Sequence, residues 1–180
     1  MTSAQSIARL KEGNKAFLNL DRCGGDVSPA VRERTSREGQ HPYATVVTCS
    51  DSRVIPESIF NAGIGELFVI RAAGNVVGNF QLGSIEYAAE HLKTPLVVVL
   101  GHSGCGAVGA AIGSSPSGYV KYITDEIKAA IGTEKDDLIA CGLNVKRTVE
   151  RIKSAFPGGG FEVVGAVYHI KDGRVQFLEN

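Results

Sequence analysis

The sequence predicts an α/β protein: a mostly parallel β-sheet flanked by helices, with an antiparallel strand on one edge. Three observations lead there. Apolar runs rich in β-branched residues recur at Ala44 to Cys49, Leu67 to Ile70, Leu96 to Leu100 and Phe161 to Ile170. Runs without a polar face are how strands buried on both sides read. Helically spaced stretches separate them, and strands alternating with helices imply crossovers and a parallel sheet. The chain has 180 residues, 43% of them hydrophobic and 21% charged, which suits one globular domain and excludes a disordered chain.

Taken in order, residues 3–20 read as a helix with Ile7, Leu10, Asn14, Phe17 and Leu18 on one stripe. Ser3 stands where a cap is expected. Gly24-Gly25 then breaks the chain, and a second short helix spans Pro29 to Arg37. Residues 1–40 thus form a helical arm ahead of an α/β core over 41–180, the whole 1–180 being one domain. The apolar stripe of the first helix has two possible covers, its own sheet or a second subunit, and spacing does not choose between them. Within the core, Leu82, Ile85, Ala89 and Leu92 line one helix face, and Val145, Val149, Ile152 and Phe156 another. After the last long run, Lys171-Asp172-Gly173 leads into Val175 to Phe177. An Asp-Gly turn between strand-like runs signals a hairpin, which supplies the antiparallel edge.

Lys plus Arg equals Asp plus Glu at 19 each. No bulk field draws this chain to nucleic acid or an anionic membrane, so a small-molecule partner is expected. No apolar run approaches the ~18 residues of a bilayer-spanning helix. Arg9, Lys11 and Glu12 interrupt the N-terminus before any signal-peptide core, and a cytoplasmic protein is expected. Four cysteines, Cys23, Cys49, Cys105 and Cys141, are too few and too scattered for a disulfide framework. In a reducing compartment they are core residues, metal ligands or nucleophiles.

Two strands end in residues that apolar packing does not explain. The first runs into Cys49-Ser50-Asp51-Ser52-Arg53, the third into Gly101-His102-Ser103-Gly104-Cys105-Gly106. Ligands gather at the carboxyl ends of strands in open parallel sheets. A strand-end cysteine alone is more often a small hydrophobe, and an Asp–Arg pair alone is a turn-stabilising ion pair. Together, two thiolates and an imidazole make a borderline-soft set suited to zinc, and three protein ligands with a fourth position open is the catalytic pattern. Gly104 and Gly106 are read as giving the backbone close access to the metal loop, and Gly74 and Asn75 as lining the same cleft. Cys23 and Cys141 are read as unliganded thiols; His41, His91 and His169 have no ligand-spaced partner.

At this point the chain resembles the β-class carbonic anhydrases of bacterial type over nearly its whole length. Cys49-x-Asp51-x-Arg53 is similar to the family's C-x-D-x-R motif, His102-x-x-Cys105 to its H-x-x-C motif, and Arg71-x-Ala73-Gly74-Asn75 to its R-x-A-G-N loop. Ser84 to Ala88 and Val164 to Tyr168 fall in family order. The resemblance implies one Zn2+ per chain on Cys49, His102 and Cys105. It implies reversible hydration of carbon dioxide to bicarbonate and a proton by zinc-bound hydroxide, oriented by an Asp51–Arg53 dyad. It further implies Asp51 as a pH-dependent fourth ligand, and a homodimer with the N-terminal arm laid on the partner. Relatives that hydrolyse carbonyl sulfide or carbon disulfide keep the same ligands and dyad, so that activity is the alternative. Some bacterial members have a bicarbonate pocket built around tryptophan; this chain has no Trp, and that feature is not carried over.

Overall fold

The apolar runs become the strands of one five-stranded sheet in a computed structural model that describes residues 1–19, 24–114 and 116–179. The strands are β1 (Ala44–Thr48), β2 (Leu67–Arg71), β3 (Leu96–His102), β4 (Glu162–Tyr168) and β5 (Val175–Phe177). Their order is β2-β1-β3-β4-β5. The first four are parallel, and β5 pairs antiparallel with β4 as the hairpin predicted. Every residue of β1 and β3 is buried, the reason these runs show no alternation.

Among the described residues, seven α-helices surround the sheet: α1 (Ser3–Leu18), α2 (Pro29–Glu38), α3 (Pro56–Ile59), α4 (Asn79–Glu90), α5 (Gly106–Gly113), α6 (Val120–Ile131) and α7 (Asp137–Ala155). On one face Val46, Leu96 and Val98 pack with Leu10 of α1 and with Ile59 and Phe60. On the other, Val47, Val97 and Val99 meet Ile85 of α4 and Val145, Val149 and Ile152 of α7. A third cluster, beyond the carboxyl ends of the strands, gathers Cys49, Cys105 and Cys141 with Val108, Ile127 and Ala140. Three helices were not expected. Helix α3 is a single turn. The segment Gly106–Gly113 holds only small and apolar residues, so it shows no periodicity. Helix α6 does carry a legible stripe through Ile123, Ile127 and Ile131.

The inner face of the N-terminal helix packs on its own chain. The helix ends at Leu18, and Leu20 lies outside the described residues. Its buried residues Ser6, Leu10 and Asn14 are covered by this same chain. The Ser6 hydroxyl donates to the Tyr43 carbonyl at 2.7 Å. Asn14 donates to the carbonyls of Ile59 and Gly173 at 3.2 and 2.9 Å and accepts the Val175 N–H at 3.0 Å. One buried carboxamide thus ties α1 to the segment after β1 and to the terminal hairpin. The physical reason is polar: Ser6 and Asn14 sit on the stripe and find backbone partners in their own subunit. The cap is Thr2, not Ser3: the Thr2 hydroxyl accepts the Gln5 N–H while the Gln5 side chain accepts the Thr2 N–H.

Leu10 is fully buried in this contact, so Leu10→Ala is expected to cost about 2–5 kcal/mol. Urea unfolding of the full chain measures it; a loss below about 1 kcal/mol would mean that α1 is not docked as described.

Candidate metal centre

Strand order reverses between β1 and β3: β2 continues the sheet on one side of β1, β3 and β4 on the other. In open parallel sheets the crevice at such a switch point is where ligands sit. Cys49 follows β1 directly, His102 is the last residue of β3, and Cys105 caps α5. The switch point therefore brings Cys49 to two residues more than fifty positions further along the chain. The three donor atoms lie within 4.8 Å of one another, and all three residues are buried. Tetrahedral zinc with ~2.3 Å bonds to two sulfurs would hold them about 3.8 Å apart; here the two Sγ atoms are 4.0 Å apart.

The nitrogen completes the test. His102 Nδ1 lies 3.1 Å from the Ser103 carbonyl. The tautomer that donates this bond turns an unprotonated Nε2 toward the sulfurs, the usual way a ligating histidine is fixed. That Nε2 is buried and has no hydrogen-bond partner among the described residues. An orphaned acceptor beside two thiols is costly unless a cation meets it. The donor set fits a metal ion.

Local electrostatics support thiolate character at Cys49. The Cys105 thiol beside it pulls the Cys49 thiol well below its ordinary value, against burial, with help from His102 and the backbone N–H groups of Asp51 and Gly74. The Gly74 N–H donates to the Cys49 sulfur at 3.2 Å. Cys105 is correspondingly pushed up by the Cys49 thiolate and by burial, while the first amides of α5, at Val108 and Ala107, act in the opposite direction. A dication would let both sulfurs ionise.

Asp51 and Arg53 form a forked pair. Arg53 Nε donates to Asp51 Oδ1 at 2.9 Å and Nη2 to Oδ2 at 2.7 Å; Nη2 also donates to the Gly104 carbonyl at 3.1 Å. The bonds from Arg53 hold the Asp51 carboxyl well below the usual carboxylate range. Asp51 Oδ2 stands 3.9 Å from His102 Nε2, at the edge of the cluster but outside the group of donors. Both oxygens are on Arg53, so Asp51 would leave a fourth position open on an ion held by the cluster.

Two features carried no role in the sequence reading. Arg71, at the end of β2, donates to the carbonyls of Cys49, Asp51 and Val54 at 3.1, 2.7 and 2.9 Å. It pins the loop that carries Cys49 and the Asp51–Arg53 pair. Asp137, at the start of α7, accepts the Gly104 N–H at 2.7 Å. Gly104 has φ +64, which explains glycine in the metal turn. Gly106 needs another account: a Cβ there would meet nothing within 4 Å, so close approach is not its function. Gly74 does approach, through its N–H, and Asn75 is buried beside it. Cys141 lies near the cluster but outside the donor group; its thiol donates to the His102 carbonyl at 3.0 Å, and burial pushes it up to about 12. Cys23 lies outside the described residues. His41 and His91 are exposed, and His169 lies beside Gln176.

A family model described as carbonic anhydrase matches residues 44–175. The carbonic anhydrase of Mycolicibacterium smegmatis is 38% identical over 188 positions, covering 93% of this chain and 89% of that protein. Carbonic anhydrase 2 of Mycobacterium tuberculosis is 37% identical over 185 positions, covering 92% and 87%. Among solved structures, a tetrameric β-carbonic anhydrase from Sordaria macrospora superposes with a TM-score of 0.74 at 26% identity, covering 98% of this chain and 95% of the other. The matched region runs from the start of β1 to the start of β5 and so includes both strand-end motifs and the loop between them. Agreement of motif order, sheet topology and near full-length similarity places the chain in the β-class carbonic anhydrase family.

Proposed function

We propose that this protein catalyses the reversible hydration of carbon dioxide to bicarbonate and a proton, with one Zn2+ per chain held by Cys49, His102 and Cys105. The observation that carries the reading is the buried Nε2 of His102, without a hydrogen-bond partner among the described residues, beside two thiols 4.0 Å apart. When bound, such an ion supplies Lewis acidity that makes water a competent nucleophile near neutral pH.

The chain's own residues orient that chemistry. Asp51, kept ionised by Arg53, has only acceptor oxygens to offer. Its carboxylate would take a hydrogen bond from the attacking water and so turn a lone pair of that water toward the carbon of carbon dioxide. Arg53 fixes the direction of the carboxylate through two bonds and fixes its own position through the Gly104 carbonyl. Arg71 holds the loop against β2, so the distance from Cys49 to Asp51 does not drift.

Self-association belongs to the same reading. The Sordaria macrospora protein is tetrameric, and Phe80 and Tyr119 here are each 89% exposed, apolar surface available to a second copy of the chain. A homodimer is the smallest assembly that would cover them. None of the described helices is long and apolar enough to cross a membrane.

The test is metal quantitation on the purified chain with stopped-flow kinetics on carbon dioxide and carbonyl sulfide in parallel. One zinc per chain and turnover of carbon dioxide are expected. Turnover of carbonyl sulfide alone would overturn the substrate assignment, and a chain with neither metal nor activity would overturn the whole reading. The relatives named above are carbonic anhydrases, and they give the sulfur-substrate alternative no support.

A further inference from the structure

Helix α7 packs on the sheet with a face that is not wholly apolar. Asp137, Cys141, Asn144 and Thr148 follow one another at steps of four, three and four, which sets them on one helical stripe. Each bonds to backbone that carries or touches the metal cluster. Beyond the Asp137 and Cys141 contacts already described, Asn144 Nδ2 donates to the Gly74 carbonyl at 2.8 Å and the Thr148 hydroxyl to the Asn75 carbonyl at 3.5 Å. The helix comes this close because the strands beneath it carry glycine. A Cβ on Gly101 or Gly165 would stand 2.5 or 2.8 Å from the methyl groups of Val145, nearer than side-chain atoms can pack.

Asn144 is the member of the stripe with a path to a sulfur. It is buried, and its bond fixes the carbonyl of the residue whose N–H meets Cys49. Gly74 holds φ +65, a conformation from which glycine rotates more freely than any other residue. A Cβ there would lie 2.7 Å from Ile127, so no stiffer residue fits. The turn must be stiffened from outside.

We propose that Asn144 is a positioning residue of the metal centre, clamping the Gly74 carbonyl so that the Gly74 N–H stays aimed at the Cys49 sulfur. The hydrogen bond draws electron density from the sulfur and fixes its lone pairs, which sets how strongly Cys49 donates to the ion. Loss of the clamp frees φ and ψ of Gly74, which link its carbonyl to its N–H, and leaves a buried carbonyl without its partner. The inference rests on the reading of Cys49, His102 and Cys105 as ligands.

The test uses the full chain loaded with Co2+, read by the near-ultraviolet thiolate-to-metal charge-transfer band and by competition with a chromophoric chelator. Asn144→Ala is expected to hold Co2+ about 10- to 100-fold more weakly, with a displaced band. Asn144→Asp keeps the shape but exchanges the amide donor for an oxygen, and the same two changes are expected of it. Ile152→Val, a loss of packing on the same helix remote from the loop, is expected to lower stability and leave affinity and band unchanged. Unchanged affinity and band in either Asn144 variant would overturn the proposal. Should neither variant fold, the native chain loaded with an NMR-active cadmium isotope decides. A scalar coupling between metal and Gly74 amide proton is expected, and its absence overturns the proposal. A native chain that binds no Co2+ overturns the ligand assignment itself, whereas failure of the clamp alone leaves native binding intact.

Discussion

Cys49→Ser and Cys105→Ser are each expected to lose the metal ion and the carbon dioxide hydration activity together. A hydroxyl is a poor substitute for a thiolate: it is far less acidic and far less soft toward zinc. The effect should be among the largest any single substitution in this chain produces. Lowering the pKa of water from 15.7 to about 7 corresponds to roughly 12 kcal/mol of deprotonation free energy at 1.36 kcal/mol per unit, and all of it depends on the ion. Cys141→Ser is the informative contrast. Its sulfur is as buried as the ligands and close to them, yet it faces a carbonyl, not the donor group. A serine hydroxyl can make the same bond, so one metal ion per chain should remain. Atomic absorption on the three variants, with circular dichroism to confirm folding, decides the matter. Retention of stoichiometric zinc by Cys49→Ser or Cys105→Ser would remove that residue from the ligand set.

The cluster of Cys49, His102 and Cys105 could be read from the chain because each sits near a strong strand signal. Cys49 closes the run Ala44–Thr48 and His102 closes Leu96–His102, and the topology of a parallel sheet sends both ends to one edge. The loop from Cys49 to Arg53 shares that advantage, since a separation of two residues nearly fixes the geometry of the Asp51–Arg53 fork. Contacts made across the fold were not legible in the same way. Arg71 ends its strand like any surface arginine, and only the register of β2 against β1, with Thr48 beside Arg71, shows that its side chain reaches the Cys49 loop. Asn144 reads as a polar interruption in an amphipathic helix. Its meaning depends on how closely α7 lies over Gly101 and Gly165, a distance no local pattern encodes. The N-terminal helix marks the opposite limit. Its stripe gave burial but no polar partners, and the bonds of Ser6 and Asn14 to backbone of this same chain come only from the fold.

Asp51→Asn is expected to keep the metal and lower the hydration rate by roughly 10²- to 10⁴-fold, the range associated with a positioned proton-handling group. The carboxamide is nearly isosteric, but it offers one acceptor oxygen and an N–H2 group where Arg53 and water both need an acceptor. The form of the deficit across pH is as telling as its size. In the native chain the Arg53 bonds depress the Asp51 carboxyl. A depressed acid contributes stability that is present above its unfolded value of about 3.9 and lost as pH falls through the lower folded value. Between pH 6.5 and 9 the group is therefore anionic throughout, and its own titration cannot shape the activity profile. The substitution should lower the rate by a near-constant factor across that window without moving any midpoint, while its cost in stability should shrink only in acid. Arg53→Ala tests the other half of the pair. With the fork gone, the Asp51 carboxylate is free to turn toward the donor cluster, whose His102 Nε2 lies 3.9 Å from Oδ2, and to compete with solvent for the open position. Zinc is expected to stay and activity to fall. A deficit in Asp51→Asn that disappears at one end of the pH window would show that Asp51 there either titrates or leaves Arg53 for the donor cluster, and the account of a permanently ionised, arginine-held acceptor would have to be abandoned.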